Sequence, residues 1–173
     1  TFAAAVSFAV TATVYSSATG DLDNDNKPEI VVGLGNSTAR IYRNVTTVGV
    51  INSGSFSLGH TLTGLWSVQS IALSDLDGET GTDMAIGYAA NNYSLFEKTG
   101  PGITAWSARV DYATSTPTYS SLIATNLNSD GKPDIAYSSN GTTVGIYQNN
   151  MNPLAAEPTT ASSAVNFTGT SQT

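Results

Sequence analysis

The sequence predicts an all-β chain built from three repeats of four strands, with one surplus strand ahead of the first repeat. Three observations carry this. An acidic nine-residue stretch recurs three times in one register. The apolar residues flanking it recur at constant offsets. No segment shows the 3.6-residue apolar spacing of an amphipathic helix.

The first stretch is Asp21-Leu22-Asp23-Asn24-Asp25-Asn26-Lys27-Pro28-Glu29, with oxygen-bearing side chains at positions 1, 3, 5 and 9. The second, Asp75-Leu76-Asp77-Gly78-Glu79-Thr80-Gly81-Thr82-Asp83, begins 54 residues later. The third, Asn126-Leu127-Asn128-Ser129-Asp130-Gly131-Lys132-Pro133-Asp134, begins 51 residues after that. Two unit charges about 5 Å apart repel by roughly 3 kcal/mol at an effective dielectric near 20. Four carboxylates in so short a loop therefore call for a counter-charge. A hard divalent cation supplies it and takes the oxygens as ligands; calcium, which accepts six to eight oxygens in flexible geometry, suits such a loop. Position 7 offers only a backbone carbonyl, from Lys27, Gly81 or Lys132. A solvated Asp/Asn turn explains one such stretch, but not three in register.

The strands follow from the flanks. Five residues before each loop stands a serine (Ser16, Ser70, Ser121), and three before stands Ala18, Ala72 or Ile123, reading as a strand that enters the loop. After the loop comes a short apolar run, Ile30-Val31-Val32-Gly33, Met84-Ala85-Ile86-Gly87 or Ile135-Ala136-Tyr137-Ser138, of the length and branching of a buried strand. A Gly/Asn-rich turn leads to a third strand. Ala39, Tyr93 and Val144 share one offset there, Ile41, Leu95 and Ile146 a second, and Tyr42, Phe96 and Tyr147 a third. The first two sets lie on one face by the two-residue period and the aromatic on the other, so each sheet is expected to be covered on both sides. Closing strands are expected over 56–63, 108–114 and 164–170, and the longest loop over 152–163. Phe2 to Val10 is apolar apart from Ser7 and reads as the surplus strand, within a leading segment 1–13. The repeats then span 14–63, 64–114 and 115–173.

Composition points to an extracellular setting. Charged residues are only 11%, against the usual quarter, while Ser and Thr together number 45. Of 13 acidic residues, ten lie in the three loops, so the formal charge of -7 is local. The six Lys and Arg are scattered, which argues against nucleic acid. No apolar run is long enough for a membrane span. With no cysteine, neither disulfides nor thiolate chemistry enter. Sequons begin at Asn36, Asn44, Asn92, Asn140 and Asn166, each an acceptor for N-glycosylation on a secretory route.

Loops and flanking strands together resemble the FG-GAP/VCBS repeat family, the calcium-loop blades also found in integrin α-subunit propellers. The resemblance covers essentially the whole chain as three repeats. It implies four-stranded β-propeller-type blades around an axis, calcium in the loop between the first two strands, an adhesive or scaffolding role, and no catalysis. The expected ligands are Asp21, Asp23, Asp25, Lys27 and Glu29; Asp75, Asp77, Glu79, Gly81 and Asp83; and Asn126, Asn128, Asp130, Lys132 and Asp134. Asn26 and Thr80 replace the family's glycine, and the third loop begins with neutral Asn126 and Asn128. Two to three calcium sites are expected, with affinity falling from the first loop to the third. Three blades are too few to close a propeller, which typically has four to eight. The expected partners are therefore other copies of the chain, by strand addition or blade stacking. A lectin-like or adhesive fragment that binds glycan or matrix protein is the alternative.

Catalytic readings find little footing. His60 is the only histidine and stands on an expected strand, without the partners of a nucleophile–base triad. Glu97 and Asp111 lack a motif that would pair them for glycoside hydrolysis. Trp66, Trp106, Tyr15 and Tyr119 occupy unequal repeat positions, as expected for packing between blades rather than for repeated sugar pockets.

Overall fold

The computed structural model describes residues 1–79, 81–114, 121–138 and 143–150, together with the backbone of 165–166. The chain is all-β, with three antiparallel sheets of four strands. Sheet 1 is β1 (Val14–Gly20), β2 (Glu29–Leu34), β3 (Thr38–Asn44) and β4 (Phe56–Leu62), in that order. Sheet 2 is β5 (Val68–Ser74), β6 (Asp83–Tyr88), β7 (Asn92–Phe96) and β8 (Val110–Ala113). Sheet 3 is β9 (Ser121–Thr125), β10 (Asp134–Ser138), β11 (Val144–Tyr147) and β12 (Val165–Asn166). In each, neighbouring strands follow one another in sequence and pair antiparallel, and each acidic loop joins the first two strands of its sheet.

The sheets lie face to face, with β1 against β5 and β5 against β9. The two-residue alternation decides which core each side chain joins. On β6, Met84 and Ile86 join Val31, Ala39 and Ile41 in the core between sheets 1 and 2. Ala85, one residue along, joins Tyr93, Leu122, Ile135, Tyr137 and Tyr147 between sheets 2 and 3. All six residues of β6 are buried, as expected for a strand covered on both faces. Close approach constrains Gly33: a Cβ there would stand 2.4 Å from Val68 Cγ1 on the neighbouring sheet. Bulges recur at equivalent places, between Val14 and Ser16 on β1 and between Val68 and Ser70 on β5.

The leading segment departs from expectation. Residues 1–13 form no strand. Instead Phe8, Val10 and Ala12 lie over the outer face of sheet 1, against the cluster of Val32, Leu34 and Tyr42. The Phe8 ring sits 5.0 Å from that of Tyr42 and 6.1 Å from that of Phe56. Alanine-rich chain has little strand preference, and covering an apolar face needs no ladder of backbone bonds. The closing strands are shorter than expected, at Phe56–Leu62 and Val110–Ala113. The third is described only at Val165–Asn166, and the loop expected over 152–163 lies outside the described residues.

Candidate metal centre

Each loop takes its shape from backbone that few residues adopt. Position 4 is left-handed in all three loops: Asn24 at φ 60°, Gly78 at 78° and Ser129 at 65°. Position 6 is left-handed at Asn26 (64°) and Gly131 (90°); its counterpart Thr80 lies outside the described residues. Asn tolerates this region because its side chain bonds locally, so Asn26 keeps the turn that glycine makes elsewhere.

Position 9 does the same thing three times. Glu29, Asp83 and Asp134 are 0%, 1% and 1% exposed. One carboxylate oxygen of each accepts the backbone N–H of position 2: Leu22 at 2.9 Å, Leu76 at 2.7 Å and Leu127 at 2.9 Å. The other accepts the N–H at the end of the third strand: Asn44 at 3.3 Å, Lys98 at 2.8 Å and Asn149 at 2.9 Å. A buried charge held by two charge-assisted bonds ties the loop to the sheet. Asn44 and Asn149 reinforce this by donating Nδ2 to the position-8 carbonyls of Pro28 (2.9 Å) and Pro133 (3.1 Å). Asn44 is buried and its Oδ1 accepts from Thr46, so this sequon is committed to the fold. Asn36 stands exposed on a turn; Asn140 lies outside the described residues.

Positions 1, 3 and 9 converge in the first two loops. Ligand atoms of Asp21, Asp23 and Glu29 lie within 4.8 Å of one another, as do those of Asp75, Asp77 and Asp83. Asp25 and Glu79 stay outside these clusters. Asp25 instead accepts the Lys27 N–H at 2.8 Å, while the Lys27 ammonium reaches the Thr46 carbonyl at 3.3 Å. Asp21 accepts the N–H groups of Asp25 and Asn26, at 3.2 and 2.8 Å. In the second loop Gly78 donates to Asp75 and Glu79 to Asp77, each at 2.8 Å. The third loop satisfies itself. Asn128 Nδ2 donates to Asp130 at 2.9 Å, Asp130 N–H to Asn128 at 3.0 Å, and Lys132 N–H to Asp130 at 2.9 Å. The Lys132 N–H, with Asn128, holds the Asp130 carboxyl below its ordinary range. Asn126 stands exposed at position 1.

Electrostatics separate the two acidic clusters. Burial pushes the Asp83 carboxyl up to about 6, against two backbone donors, with Asp77 and Asp75 adding to the rise. Glu29 is raised by the same burial, with Asp23 and Asp25 contributing. The first loop carries its own counter-charge: Arg43 Nη2 bonds to Asp23 Oδ2. Lys98 of sheet 2 also feels the Asp23 charge, which opposes the lowering of its own pKa by burial. Among the described residues, no Lys or Arg pairs with the second cluster. Arg43 was invisible in the repeat pattern because Glu97 and Gln148 occupy its equivalents. Asn44 and Asn149 do align across repeats, which is the signal that could have found them.

The donor set fits a hard divalent cation. It is all oxygen, and three carboxylates converge at each of two places. Asp23 adds a specific vacancy in bonding: its side chain is 2% exposed, yet Oδ1 has no hydrogen-bond partner. A buried carboxylate oxygen left so is costly unless a cation meets it. No Lys98, Trp66 or Trp106 feature suggests a reactive centre. Lys98 Nζ bonds to the carbonyl of Gly100, Trp106 Nε1 donates to that of Ile103 at 2.9 Å, and the Arg109 guanidinium sits 4.5 Å over Trp66. Tyr119 lies outside the described residues, and His60 is half-buried on β4, paired with Ile41. Among the described residues no helix is long and apolar enough to cross a membrane. No protein-family model and no curated protein matches this chain.

Proposed function

We propose that this chain is a non-catalytic, extracellular repeat protein of the FG-GAP/VCBS kind, stiffened by calcium and assembling with its own copies into a scaffold. The observation that carries the metal reading is the convergence of positions 1, 3 and 9 in two loops, with Asp23 Oδ1 buried and unpartnered in one of them. Bound calcium would supply positive charge and further coordination. Asp21, Asp23 and Glu29 would hold one ion, and Asp75, Asp77 and Asp83 another. The role is structural: the ion pins the hairpin between the first two strands of a sheet.

The Arg43 pair changes the expected order of affinity. Calcium at the first loop competes with a resident guanidinium for Asp23, so the second loop binds more tightly and the third most weakly. At an affinity of about 10⁻⁴ M in millimolar calcium, linkage gives roughly 1.4 kcal/mol per site. A melt in millimolar calcium should therefore exceed one in chelator, with two ions bound by calorimetry. An identical midpoint in both would remove the metal reading. Electron micrographs of the same samples test assembly, with rings or fibres expected in calcium.

A further inference from the structure

Both sheet-to-sheet junctions among the described residues are made the same way. The face carrying the first two third-strand sets of one sheet packs on the aromatic-bearing face of the next. In sheet 1 the first face presents Val31, Ala39 and Ile41, all 0% exposed beneath sheet 2. In sheet 2 it presents Ala72, Ala85 and Tyr93, buried beneath sheet 3. In sheet 3 the equivalent positions are Ile123, Ala136, Val144 and Ile146, cross-strand neighbours on β9, β10 and β11. Ile123 is 50% and Val144 56% exposed, and no described residue covers them. The complementary face is also spare at the other end of the chain: sheet 1 presents Val32, Tyr42 and Phe56 outward. There the cover is not a sheet but the chain's own Phe8, Val10 and Ala12.

We infer that the face of sheet 3 bearing the exposed Ile123 and Val144 takes the outer face of sheet 1 of a second copy, and that residues 8–12 are the plug that must move aside first. The occupant is specified by the repeat: an aromatic-bearing face of this kind is what the equivalents of Ile123 and Val144, among them Ala39, Ala72 and Tyr93, meet in sheets 1 and 2. The plug is built to yield. It contributes no strand to the ladder, its Phe8 remains partly exposed, and the residues before it are exposed throughout. Joining unlike faces makes the contact heterologous, giving a ring where the rotation closes and a filament where it does not. This rests on the self-association proposed above.

Sedimentation across a concentration series in millimolar calcium tests it with four chains: the full chain, one lacking residues 1–12, the full chain with Phe8→Ser, and the full chain with Ile123→Lys and Val144→Lys. Removing the plug relieves the burial of one aromatic ring, so the truncated chain should associate about tenfold more tightly than the full chain. Phe8→Ser should move the same way by less, and it carries the test should the truncated chain not fold. The double lysine chain should stay monomeric while keeping its calcium-dependent melt. Association that is unchanged or weakened by removing the plug overturns the inference and leaves self-association standing. Association untouched by the two lysines overturns it as well. If every chain stays monomeric, the scaffold reading itself fails, and the inference falls with it.

Discussion

The first two loops gather the same three carboxylates, yet they balance them differently. In the first, Arg43 reaches across from β3 to Asp23, and Lys98 approaches from the next sheet. In the second, no Lys or Arg among the described residues pairs with the carboxylates, and burial first, with the Asp77 and Asp75 charges after it, raises the Asp83 carboxyl to about 6. Repulsion left unrelieved in the metal-free protein is repulsion an ion can relieve. On the calcium reading proposed above, the loop without an internal cation should be the tighter site.

The largest effect should come from position 9. Asp83→Ala strips acceptors from two backbone N–H groups, at about 1–3 kcal/mol each, so the variant should lose roughly 2–6 kcal/mol even in chelator. Asp77→Ala should lose an ion in calorimetry while melting in chelator no lower than the parent. Equal losses of stability in chelator would erase the distinction between Asp83, which also latches the loop, and Asp77, proposed as a ligand of the ion. Next comes pH. The Asp83 carboxyl is raised above its ordinary value of 3.8. Its stabilising contribution is therefore fully present below about pH 4 and lost as pH rises through about 6. In chelator this group thus favours folding at pH 5 over pH 7, and Asp83→Asn should flatten that slope in urea melts. With calcium the sign reverses, since the ligand must be ionised, and affinity at the second loop should fall on acidification through pH 6. Smallest is Arg43→Gln. The Arg43 side chain is half exposed although Asp23 is not, so the pair is discounted towards the surface range of about 0.2–1 kcal/mol, and calcium should bind the first loop up to about fivefold more tightly in this variant. Weaker binding would mean that Arg43 positions Asp23 rather than competing for it.

Much of this was legible because repeats report their own alignment. The offsets of Ile41, Leu95 and Ile146 located three strands, and those of Tyr42, Phe96 and Tyr147 gave the opposite face. The Asp and Asn spacing located the loops. It did not separate ligand from latch, because position 9 looks like any other acid until its two backbone partners are seen. Position 5 stands apart from the three-carboxylate clusters, with one Asp25 oxygen accepting the Lys27 N–H two residues on. The leading segment misled because Phe2 to Val10 has a strand's apolar content. What decides its fate is an uncovered face on sheet 1, which no local pattern encodes.

The latch also bears on how such arrays change over generations. Glu29, Asp83 and Asp134 each hold their hairpin through two backbone bonds, whether or not acids remain at positions 1 and 3. If the proposed ions are bound, acids at positions 1 and 3 could be replaced, as by Asn126 and Asn128 in the third loop, without removing the bonds that hold the hairpin. Under the proposed reading, dependence on calcium would then be adjustable module by module while the architecture is kept.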